Sequence, residues 1–386
     1  MTAVKQKSAD IIIIGGGIIG LCLAYYLAKI GRPKILLFEK SLLAQASTGL
    51  SVGGIRLQFS HKSNIKLSLM SLAVFTGIKE EFGPQTEIFF RQEGYLFLTR
   101  KMGLWQDFQA NLAVQNRMGV PSEALCPDEI SRRWPYLNTA DLLGGTFCGQ
   151  DGYADPYLTA MAFARGAREK GVRIFENTPV RAVDKAKGRI VGVRTDKDSF
   201  KAPVVVNCAG AWAAEVGKLA GLHLPVKPVR RQVFMTSALP NLPRPVPLVI
   251  DMDTLFYFRG EEPGVLMGMS DPEEPSSFNT SVDRDFLERV VERALHLAPP
   301  LAEAEILRGW GGLYAVSPDE NPMIGESPEL PGFYCSVGFS GHGFQHGPAV
   351  GRILARLILD GKPDFDLSPF RFHRFNTDTE GEKRVV

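Results

Sequence analysis

From Asp10 to Lys40 the chain reads DIIIIGGGIIGLCLAYYLAKIGRPKILLFEK. Four consecutive isoleucines are typical of a parallel strand that is buried on both faces. The glycines that follow open an apolar stretch of helical length, Ile18 to Lys29, and Gly31 supplies a C-terminal stop. The segment therefore predicts a strand, a glycine-rich turn and a helix in immediate succession.

The spacing of these glycines meets the requirements of a dinucleotide-binding turn. In the pattern GxGxxG, Gly15 makes the tight turn, Gly17 lets backbone N–H groups approach a pyrophosphate, and Gly20 lets the helix pack on the strand. The helix N-terminus adds partial positive charge at the same place. A second strand over 34–38 ends at Glu39, 19 residues after Gly20, where a carboxylate accepts a ribose hydroxyl. The motif predicts a bound dinucleotide but does not distinguish NAD from FAD.

Length, charge and cysteine usage narrow the classes of protein further. A chain of 386 residues is too long for one ordinary core and suits two domains. Its 44 basic and 42 acidic residues leave a formal charge of +2, which disfavours a nucleic-acid partner. Five scattered cysteines form no CxxC pair and no metal spacing, so we predict no disulfide framework, no metal site and a reducing, cytoplasmic location. The uncharged run from Ile11 to Ala28 is broken by glycines and is not predicted to span a membrane.

Three further segments carry distinctive polar and glycine-rich motifs. The loop STGLSVGGIR, at 47–56, follows the ribose carboxylate and holds one cation. The motif DGYADP, at 151–156, precedes a predicted helix over 157–170 and a predicted strand over 172–175. The run VVVNCAGAW, at 204–212, is typical of a buried strand that leads into a turn of small residues.

The last block is the most diagnostic. RGWGGLYAVSPDENPMIG, at 308–325, leads into GFSGHGFQ, at 338–345, and a predicted helix over 348–359. All these segments together resemble the D-amino acid oxidase superfamily of flavoproteins, in the branch that holds sarcosine oxidase and its β-subunit relatives, dye-linked proline dehydrogenase β-subunits and glycine oxidase. In that family the second glycine loop points backbone N–H groups and a helix N-terminus at the flavin pyrimidine edge, where negative charge grows on reduction.

The resemblance implies a fold class and a cofactor. The fold is α/β, a Rossmann-like FAD-binding domain with a parallel sheet plus a mixed or antiparallel α+β substrate domain. Monomeric sarcosine oxidases tether FAD through a cysteine where this chain has Gly312, so we predict non-covalent FAD. The residues implied to bind it are Gly15, Gly17, Ile18, Ile19, Gly20, Glu39, Lys40, Ser47, Thr48, Gly53, Gly54, Val180, Ala209, Gly210, Trp212, Gly312, Gly341, His342, Gly343, Phe344 and Gln345.

The segments with cofactor motifs are discontinuous along the chain. Between them lie short alternating runs such as YLFLT, at 95–99, which predict one largely antiparallel substrate sheet with helices on one face. The polar end, 377–386, is predicted to fray. We assign to the FAD-binding domain residues 1–84, 150–222 and 308–386, and to the substrate domain residues 85–149 and 223–307.

An amino-acid substrate needs a cation for its carboxylate and an apolar cage for its body. Arg56 is the first candidate, because an arginine fork grips a carboxylate with two parallel hydrogen bonds, and Arg231 and Arg259 are its rivals. Two tyrosines are candidate hydrogen-bond donors to the substrate, and a histidine between two glycines is expected beside the flavin. The predicted catalytic residues are therefore Arg56, Tyr257, Tyr314 and His342.

The sequence also departs from the family pattern. Gln345 stands where monomeric sarcosine oxidases place a lysine for the substrate carboxylate, and Leu266 where they place a lysine for oxygen activation. Glycine oxidases have an arginine at the position of Tyr314, which disfavours glycine as the substrate. The expected electron acceptor is oxygen or a partner protein or quinone, and the chain could be one subunit of a hetero-oligomer. Cys208 and His346 are predicted to be structural.

Three functions are compatible with these observations. The first is oxidation of the C–N bond of a small secondary or N-methyl amino acid, sarcosine-like or proline-like, by hydride transfer to flavin N5. The second is a 2-hydroxy-acid dehydrogenase, in which His342 would be the base for the hydroxyl. The third is a flavoprotein subunit or assembly factor of a larger complex, since a fold alone does not determine a function.

Overall fold

The computed structural model describes residues 7–376. The stretch 377–386 and the outer ends of the segments 1–84 and 308–386 lie outside the described residues. The helices are α1 (Ile18–Ile30), α2 (Lys62–Thr76), α3 (Ile78–Phe82), α4 (Met102–Arg117), α5 (Pro127–Arg133), α6 (Pro156–Glu169), α7 (Ala213–Leu219), α8 (Arg284–Leu297) and α9 (Gly343–Asp360). The strands are β1 (Lys7–Ser8), β2 (Ile11–Ile14), β3 (Ile35–Phe38), β4 (Gly54–Ile55), β5 (Tyr95–Thr99), β6 (Glu123–Leu125), β7 (Gly144–Cys148), β8 (Gly152–Tyr153), β9 (Arg173–Phe175), β10 (Val180–Ala186), β11 (Arg189–Thr195), β12 (Ser199–Lys201), β13 (Val204–Asn207), β14 (Lys227–Thr236), β15 (Leu248–Asp251), β16 (Phe256–Glu261), β17 (Gly264–Met269), β18 (Ile306–Val316), β19 (Met323–Glu326) and β20 (Phe333–Val337).

A six-stranded sheet contains the strand of four isoleucines. Its order is β19-β20-β13-β2-β3-β9, and every neighbouring pair is parallel except β19 with β20. Ile11 and Ile13 pack with α1, α6 and α9, whereas Ile12 and Ile14 pack with residues of a small sheet of order β1-β12-β11-β10. Both faces of β2 are therefore covered, which confirms the buried parallel strand.

The helices on this sheet begin and end close to the predicted positions. Asp155 caps α6, because its side chain accepts a hydrogen bond of 2.8 Å from the backbone N–H of Leu158. Helix α9 begins at Gly343, five residues before the predicted start at Pro348. The helix continues through the proline, and the Ser71 hydroxyl accepts a hydrogen bond of 3.1 Å from the N–H of the next residue, Ala349. The prediction placed the start of the helix at its proline and therefore made the helix five residues too short.

The second large sheet has eight strands, in the order β18-β14-β17-β16-β15-β5-β7-β6. Its neighbouring strands are antiparallel except β15 and β5, which are parallel. A parallel sheet and this mostly antiparallel sheet, each with helices, confirm the predicted α/β fold class.

Helices cover both faces of the eight-stranded sheet, so the prediction of helices on one face was wrong. Leu96 and Leu98 of β5 belong to a core with α5 and α8, whereas Tyr95 and Phe97 pack with Leu104 and Phe108 of α4. The physical reason is that apolar side chains point to both faces of β5, and all five of its residues are buried, so each face needs a layer packed on it. We call the face with Tyr95 and Phe97 the aromatic face.

Strand β18 lies at the edge of the eight-stranded sheet and pairs with β14 along most of its length. Residues 308–316 of the segment assigned to cofactor binding thus form part of the sheet built mainly by 85–149 and 223–307. The strand is long enough to reach from that sheet to the glycine loops. The division of the chain into two domains remains a prediction.

Among the helices of residues 7–376, none is long and apolar enough to cross a membrane. Within the same part of the chain, no three His, Cys, Asp or Glu side chains are grouped as metal ligands would be.

Candidate flavin and substrate site

A cavity of about 880 Å³ lies at the carboxyl ends of β2, β3 and β13. Parallel strands bring their carboxyl ends to one edge, which is where open α/β sheets bind nucleotides. Most of the residues predicted to bind FAD meet here. The predicted residues that line it are Gly15, Gly17, Ile18, Ile19, Glu39, Lys40, Ser47, Thr48, Val180, Ala209, Gly210, Trp212, Tyr314, Gly341, Gly343 and Phe344.

The glycine turn has no room for side chains. Gly15 has a φ of +115°, which L side chains rarely adopt, and a Cβ there would collide with the carbonyl oxygen of Cys208. A Cβ on Gly20 would collide with the carbonyl oxygen of Gly15, so Gly20 permits the close approach of α1 to the turn. The hydroxyl of Thr48 accepts a hydrogen bond of 3.1 Å from the N–H of Ile18 and ties the second loop to the start of α1.

Glu39 lies between the glycine turn and the loop after β3. Its Oε2 accepts a hydrogen bond of 2.7 Å from the N–H of Gly16, and its Oε1 accepts one of 2.9 Å from the N–H of Ser41. Each carboxylate oxygen has a second lone pair, so both can still accept a ribose hydroxyl. This arrangement fits the ribose of a dinucleotide.

Two stacked aromatic side chains, Trp212 and Phe278, line the cavity. The ammonium of Lys40 lies 3.1 Å from the centroid of the Trp212 ring, and that ring stacks on Phe278 with centroids 5.4 Å apart. Burial lowers the pKa of Lys40. Phe278 comes from the substrate segment and was not predicted, because a lone aromatic in a polar loop carries no motif.

At the opposite end, the cavity reaches the two glycine loops of the last block. The ring of Tyr314 packs against Gly341, where a Cβ would lie 2.5 Å from it. Ser47 donates a hydrogen bond of 2.6 Å to the carbonyl oxygen of Leu313, which joins the second loop to β18. Burial raises the pKa of Cys208, so this lining thiol stays protonated, consistent with a packing role.

Arg56 is buried beside this end of the cavity. Its Nη2 lies 3.0 Å from Nε2 of His342, and its guanidinium lies 4.3 Å from the Phe59 ring centroid and 5.6 Å from that of Phe97. Its backbone N–H donates a hydrogen bond of 2.8 Å to Oε1 of Gln345. Gln345 thus holds the backbone of Arg56 in place.

His342 is neutral in this environment. Burial, the charge of Arg56 and His346 hold the pKa of His342 well below its ordinary value. Because an arginine can only donate, Nε2 of His342 accepts the hydrogen bond from Arg56 and the proton resides on Nδ1. Burial and Arg56 lower the pKa of His346 to about 3, and its Nε2 lies 3.0 Å from the Ser68 hydroxyl.

Strand register gathers further aromatic side chains near Arg56. Tyr257 pairs with Ile250, and Ile250 with Phe97, so the three side chains share the aromatic face of the eight-stranded sheet. The Tyr257 hydroxyl lies against Gly268, where a Cβ would be 2.6 Å from it. Burial raises the pKa of both Tyr257 and Tyr314, which therefore remain phenols and hydrogen-bond donors.

The other two candidate arginines for the substrate carboxylate, Arg259 and Arg231, have different contacts. Arg259 donates a hydrogen bond of 2.9 Å to the carbonyl oxygen of Val52, forms an ion pair of 2.6 Å with Glu261 and lies over Tyr153. It is a structural arginine. The guanidinium of Arg231, in contrast, lies 5.2 Å from the centroid of the Tyr314 ring.

Some predicted residues lie outside the lining of this cavity. Gly53 and Gly54 belong to the ribbon of β4 and β8 or its approach, and Gly312 lies on β18 against Leu50. Sequence reasoning missed Tyr95, Phe97 and Phe59, although the alternation in YLFLT places Tyr95 and Phe97 on one face of a strand. Assignment of individual residues to FAD or substrate remains a prediction. The predicted residues outside the lining are Gly20, Gly53, Gly54, Gly312, Gln345, Arg56, Tyr257 and His342.

Comparison with known proteins identifies the family. The model of the FAD dependent oxidoreductase family (DAO) matches residues 10–357. The chain is 33% identical to mitochondrial dimethylglycine dehydrogenase of Rattus norvegicus over 96% of the chain and 46% of that protein, so it spans about half the length of that relative. It is 34% identical to FAD-dependent oxidoreductase domain-containing protein 1 of Xenopus laevis, over 96% of the chain and 83% of that protein. The crystal structure of L-proline dehydrogenase from P. horikoshii superposes with a TM-score of 0.90 at 32% identity, covering 96% of this chain and 98% of that one. The chain therefore belongs to the FAD dependent oxidoreductase family, as its motifs predict.

Proposed function

We propose that this chain binds FAD non-covalently and oxidises the C–N bond of a small secondary or N-methyl amino acid. The observation that carries the proposal is the environment of Arg56. In the described chain the buried guanidinium of Arg56 forms no ion pair within 4.0 Å, and it lies among aromatic rings beside the end of the cavity that Gly341 and Tyr314 line. A substrate carboxylate would satisfy this charge, since arginine binds carboxylates in a bidentate manner.

The chain's own residues hold and orient the substrate. The redox chemistry would come from bound FAD as the acceptor of a hydride from the carbon next to nitrogen, and hydrolysis of the resulting imine by water would complete the reaction. Arg56 would hold the carboxylate, and Phe97 and Tyr257 would enclose the apolar body. Neutral His342 keeps the guanidinium in place by accepting its hydrogen bond. No protein nucleophile or metal is required for this reaction.

The relatives support an amine substrate. The names of two similar proteins denote dehydrogenases of dimethylglycine and L-proline, both of them amino acids with a substituted nitrogen. Leu266 lies on a buried strand where monomeric sarcosine oxidases carry a lysine for oxygen activation, so we propose a partner protein or quinone as the electron acceptor. A cytoplasmic location and a role as one subunit of a hetero-oligomer belong to the same proposal.

The geometry weighs against the hydroxy-acid alternative. That reaction needs a base to remove the hydroxyl proton, and His342 was the candidate. Its Nε2 lone pair already accepts a hydrogen bond from Arg56, and protonation would place a second buried cation 3.0 Å from the first. The amine reaction does not require that base.

The test is anaerobic reduction of the bound flavin. Purified protein is mixed without oxygen with sarcosine, dimethylglycine, L-proline, glycine, D-alanine or a 2-hydroxy acid, and loss of the yellow absorption band is followed. Bleaching by a secondary or N-methyl amino acid is expected. If only the hydroxy acid bleaches the flavin, or if no amine does, the proposal is wrong.

Variants of Arg56 test the role of the cation. Arg56→Gln is expected to retain FAD and to raise the substrate Kd about 10-fold to 100-fold, because a hydrogen bond to a charged group contributes roughly 1.5–3 kcal/mol. Arg308→Gln is the matched control, since Arg308 is exposed and lies over Trp310. Equal Kd values for Arg56→Gln and the wild type would contradict the assignment.

A further inference from the structure

The ion pairing of the buried arginines singles out a second cation at the site. Five arginines that are buried or half-buried each lie within 4.0 Å of a carboxylate. Within residues 7–376, Arg56 and Arg231 are the two buried or half-buried arginines that form no such ion pair. The five paired arginines are Arg91, Arg100, Arg230, Arg259 and Arg374.

Arg231 belongs to the aromatic face. On β14 it pairs with Gly312, two residues from the pair formed by Val229 and Tyr314, so the side chains of Arg231 and Tyr314 emerge on the same side of the sheet. On that side its guanidinium lies 5.2 Å from the centroid of the Tyr314 ring. Tyr314 lines the flavin cavity, so Arg231 lies against a side chain of that cavity's wall.

The hydrogen bonding of Arg231 is incomplete. Its Nη1 donates a hydrogen bond of 3.0 Å to the carbonyl oxygen of Arg230, and its Nε is buried without a hydrogen-bond partner. A buried donor left unpaired is unfavourable, so this Nε requires an explanation, and a bound ligand that accepts its hydrogen bond is one. The nearby carboxylate of Asp271 forms an ion pair of 2.7 Å with Arg289 instead.

Two guanidinium groups that form no ion pair in the described part of the chain therefore lie near Tyr314, which lines the flavin cavity, and both oppose the rise that burial causes in the pKa of Tyr314. We propose that the chain takes an amino acid with a substituted nitrogen and a second carboxylate, and that Arg231 binds the second carboxylate while Arg56 binds the first. The second carboxylate could be on the nitrogen substituent, as in iminodiacetate, or on the side chain, as in N-methyl-L-aspartate. This inference rests on the proposed function and specifies its substrate class.

Two pairs of compounds that differ by one carboxylate test it. Sarcosine and iminodiacetate are compared as reductants of the bound flavin without oxygen, with N-methyl-L-aspartate as the side-chain alternative. Methylthioacetate and thiodiacetate are compared as ligands whose sulfur replaces the oxidisable nitrogen, and their Kd is read from the change in the flavin spectrum. The second pair reports binding whether or not turnover occurs.

Arg231→Gln is expected to raise the Kd of the dicarboxylates about 10-fold or more, the loss expected for a hydrogen-bonded charge pair, and to change that of the monocarboxylates less than about two-fold. Arg231→Lys is expected to recover part of the affinity for dicarboxylates that Arg231→Gln loses, because lysine keeps the positive charge but cannot form two parallel hydrogen bonds. Arg308→Gln serves as the exposed control and is expected to match the wild type.

The outcomes separate the two proposals. If sarcosine reduces the flavin while dicarboxylates bind no better than monocarboxylates and Arg231→Gln has no selective effect, this inference is overturned and the proposed function stands. If thiodiacetate binds through Arg231 but no amine reduces the flavin, the second-carboxylate site stands and amine oxidation fails. If only N-methyl-L-aspartate depends on Arg231, the second carboxylate belongs to the side chain.

Discussion

The buried carboxyl of Asp151 makes stability depend on pH in a direction opposite to that of most carboxylates. It is fully buried within the DGYADP motif, and burial raises its pKa from 3.8 to about 7. Its oxygens accept hydrogen bonds of 2.7 Å from the N–H of Leu57 and 2.9 Å from Nε2 of Gln58. Asp151 therefore supports the chain directly after Arg56.

The sign follows from proton binding. Between pH 3.8 and about 7 the folded protein holds the proton on Asp151 and the unfolded chain has lost it, so this group's contribution to the free energy of unfolding falls as the pH rises through that interval. Each pH unit is worth about 1.4 kcal/mol, so the contribution changes by about 4 kcal/mol in all. Above pH 7 the folded protein contains a charged, buried Asp151, and the contribution is constant.

Asp151→Asn removes the titration while it keeps the size of the side chain. An amide can accept from the N–H of Leu57 and donate to Oε1 of Gln58, which is buried without a partner, once the Gln58 amide rotates. That rotation gives up the hydrogen bond of 3.1 Å from Nε2 of Gln58 to the carbonyl oxygen of Tyr95, a loss that does not depend on pH. We expect the thermal midpoint of the FAD-saturated variant to rise relative to the wild type between pH 5 and pH 8. The exposed Glu292→Gln is the control and should keep a constant difference from the wild type.

The measurement is thermal unfolding of the three proteins across that pH range with excess FAD. A difference between Asp151→Asn and the wild type that does not change with pH would refute the reasoning, because Asp151 would then titrate alike in the folded and unfolded chain. If this difference falls as the pH rises, the hydrogen bonds to Asp151 lower its pKa by more than burial raises it.

Three shorter predictions concern the cofactor and the substrate. Gly20→Ala is expected to lose FAD and unfold at lower temperature because its Cβ would collide with the oxygen of Gly15, whereas Gly103→Ala, with nothing within 4 Å of its Cβ, should be neutral or slightly stabilising; equal flavin content would contradict this. Glu39→Gln is expected to raise the FAD Kd about 10-fold by weakening the ribose acceptor, measured by flavin fluorescence titration, and an unchanged Kd would remove Glu39 from the site. Tyr257→Phe should slow flavin reduction about 10-fold with FAD content unchanged, because it removes one donor at the substrate, and an unaltered rate in stopped flow would leave Tyr257 as a packing residue.

Much of the nucleotide half could be predicted because its signals are local. The turn at Gly15, the start of α1 and the carboxylate at Glu39 are encoded within 25 residues, and each has a steric or electrostatic requirement that few residue types meet. The structure gives α1 and β3 bounds within one residue of those predicted. Two predictions were wrong: α9 was predicted to start too late, and helices were predicted on only one face of the eight-stranded sheet. Both errors arose where tertiary contacts outweighed local signals.

The substrate half could be predicted less well, because its geometry depends on contacts between distant segments. Arg56 and Arg259 look alike in the sequence, yet one contacts His342, 286 residues away, and the other contacts the carbonyl oxygen of Val52, 207 residues away. Neither contact leaves a local pattern. Sequence alone therefore kept three arginines as candidates for the carboxylate.

By itself, the sequence determined the family, the fold class and the glycine turn that opens the parallel sheet, because such a turn needs its special residues in one contiguous stretch. Only the tertiary structure decided which cations lack a carboxylate partner and which aromatic rings share a face. Those properties depend on strand order and register, which bring Phe97, Tyr257 and Tyr314 from three distant strands to one side of a sheet. Burial then lowers the pKa of His342 and raises those of Tyr257 and Tyr314, and the extent of that burial depends on everything packed around each side chain.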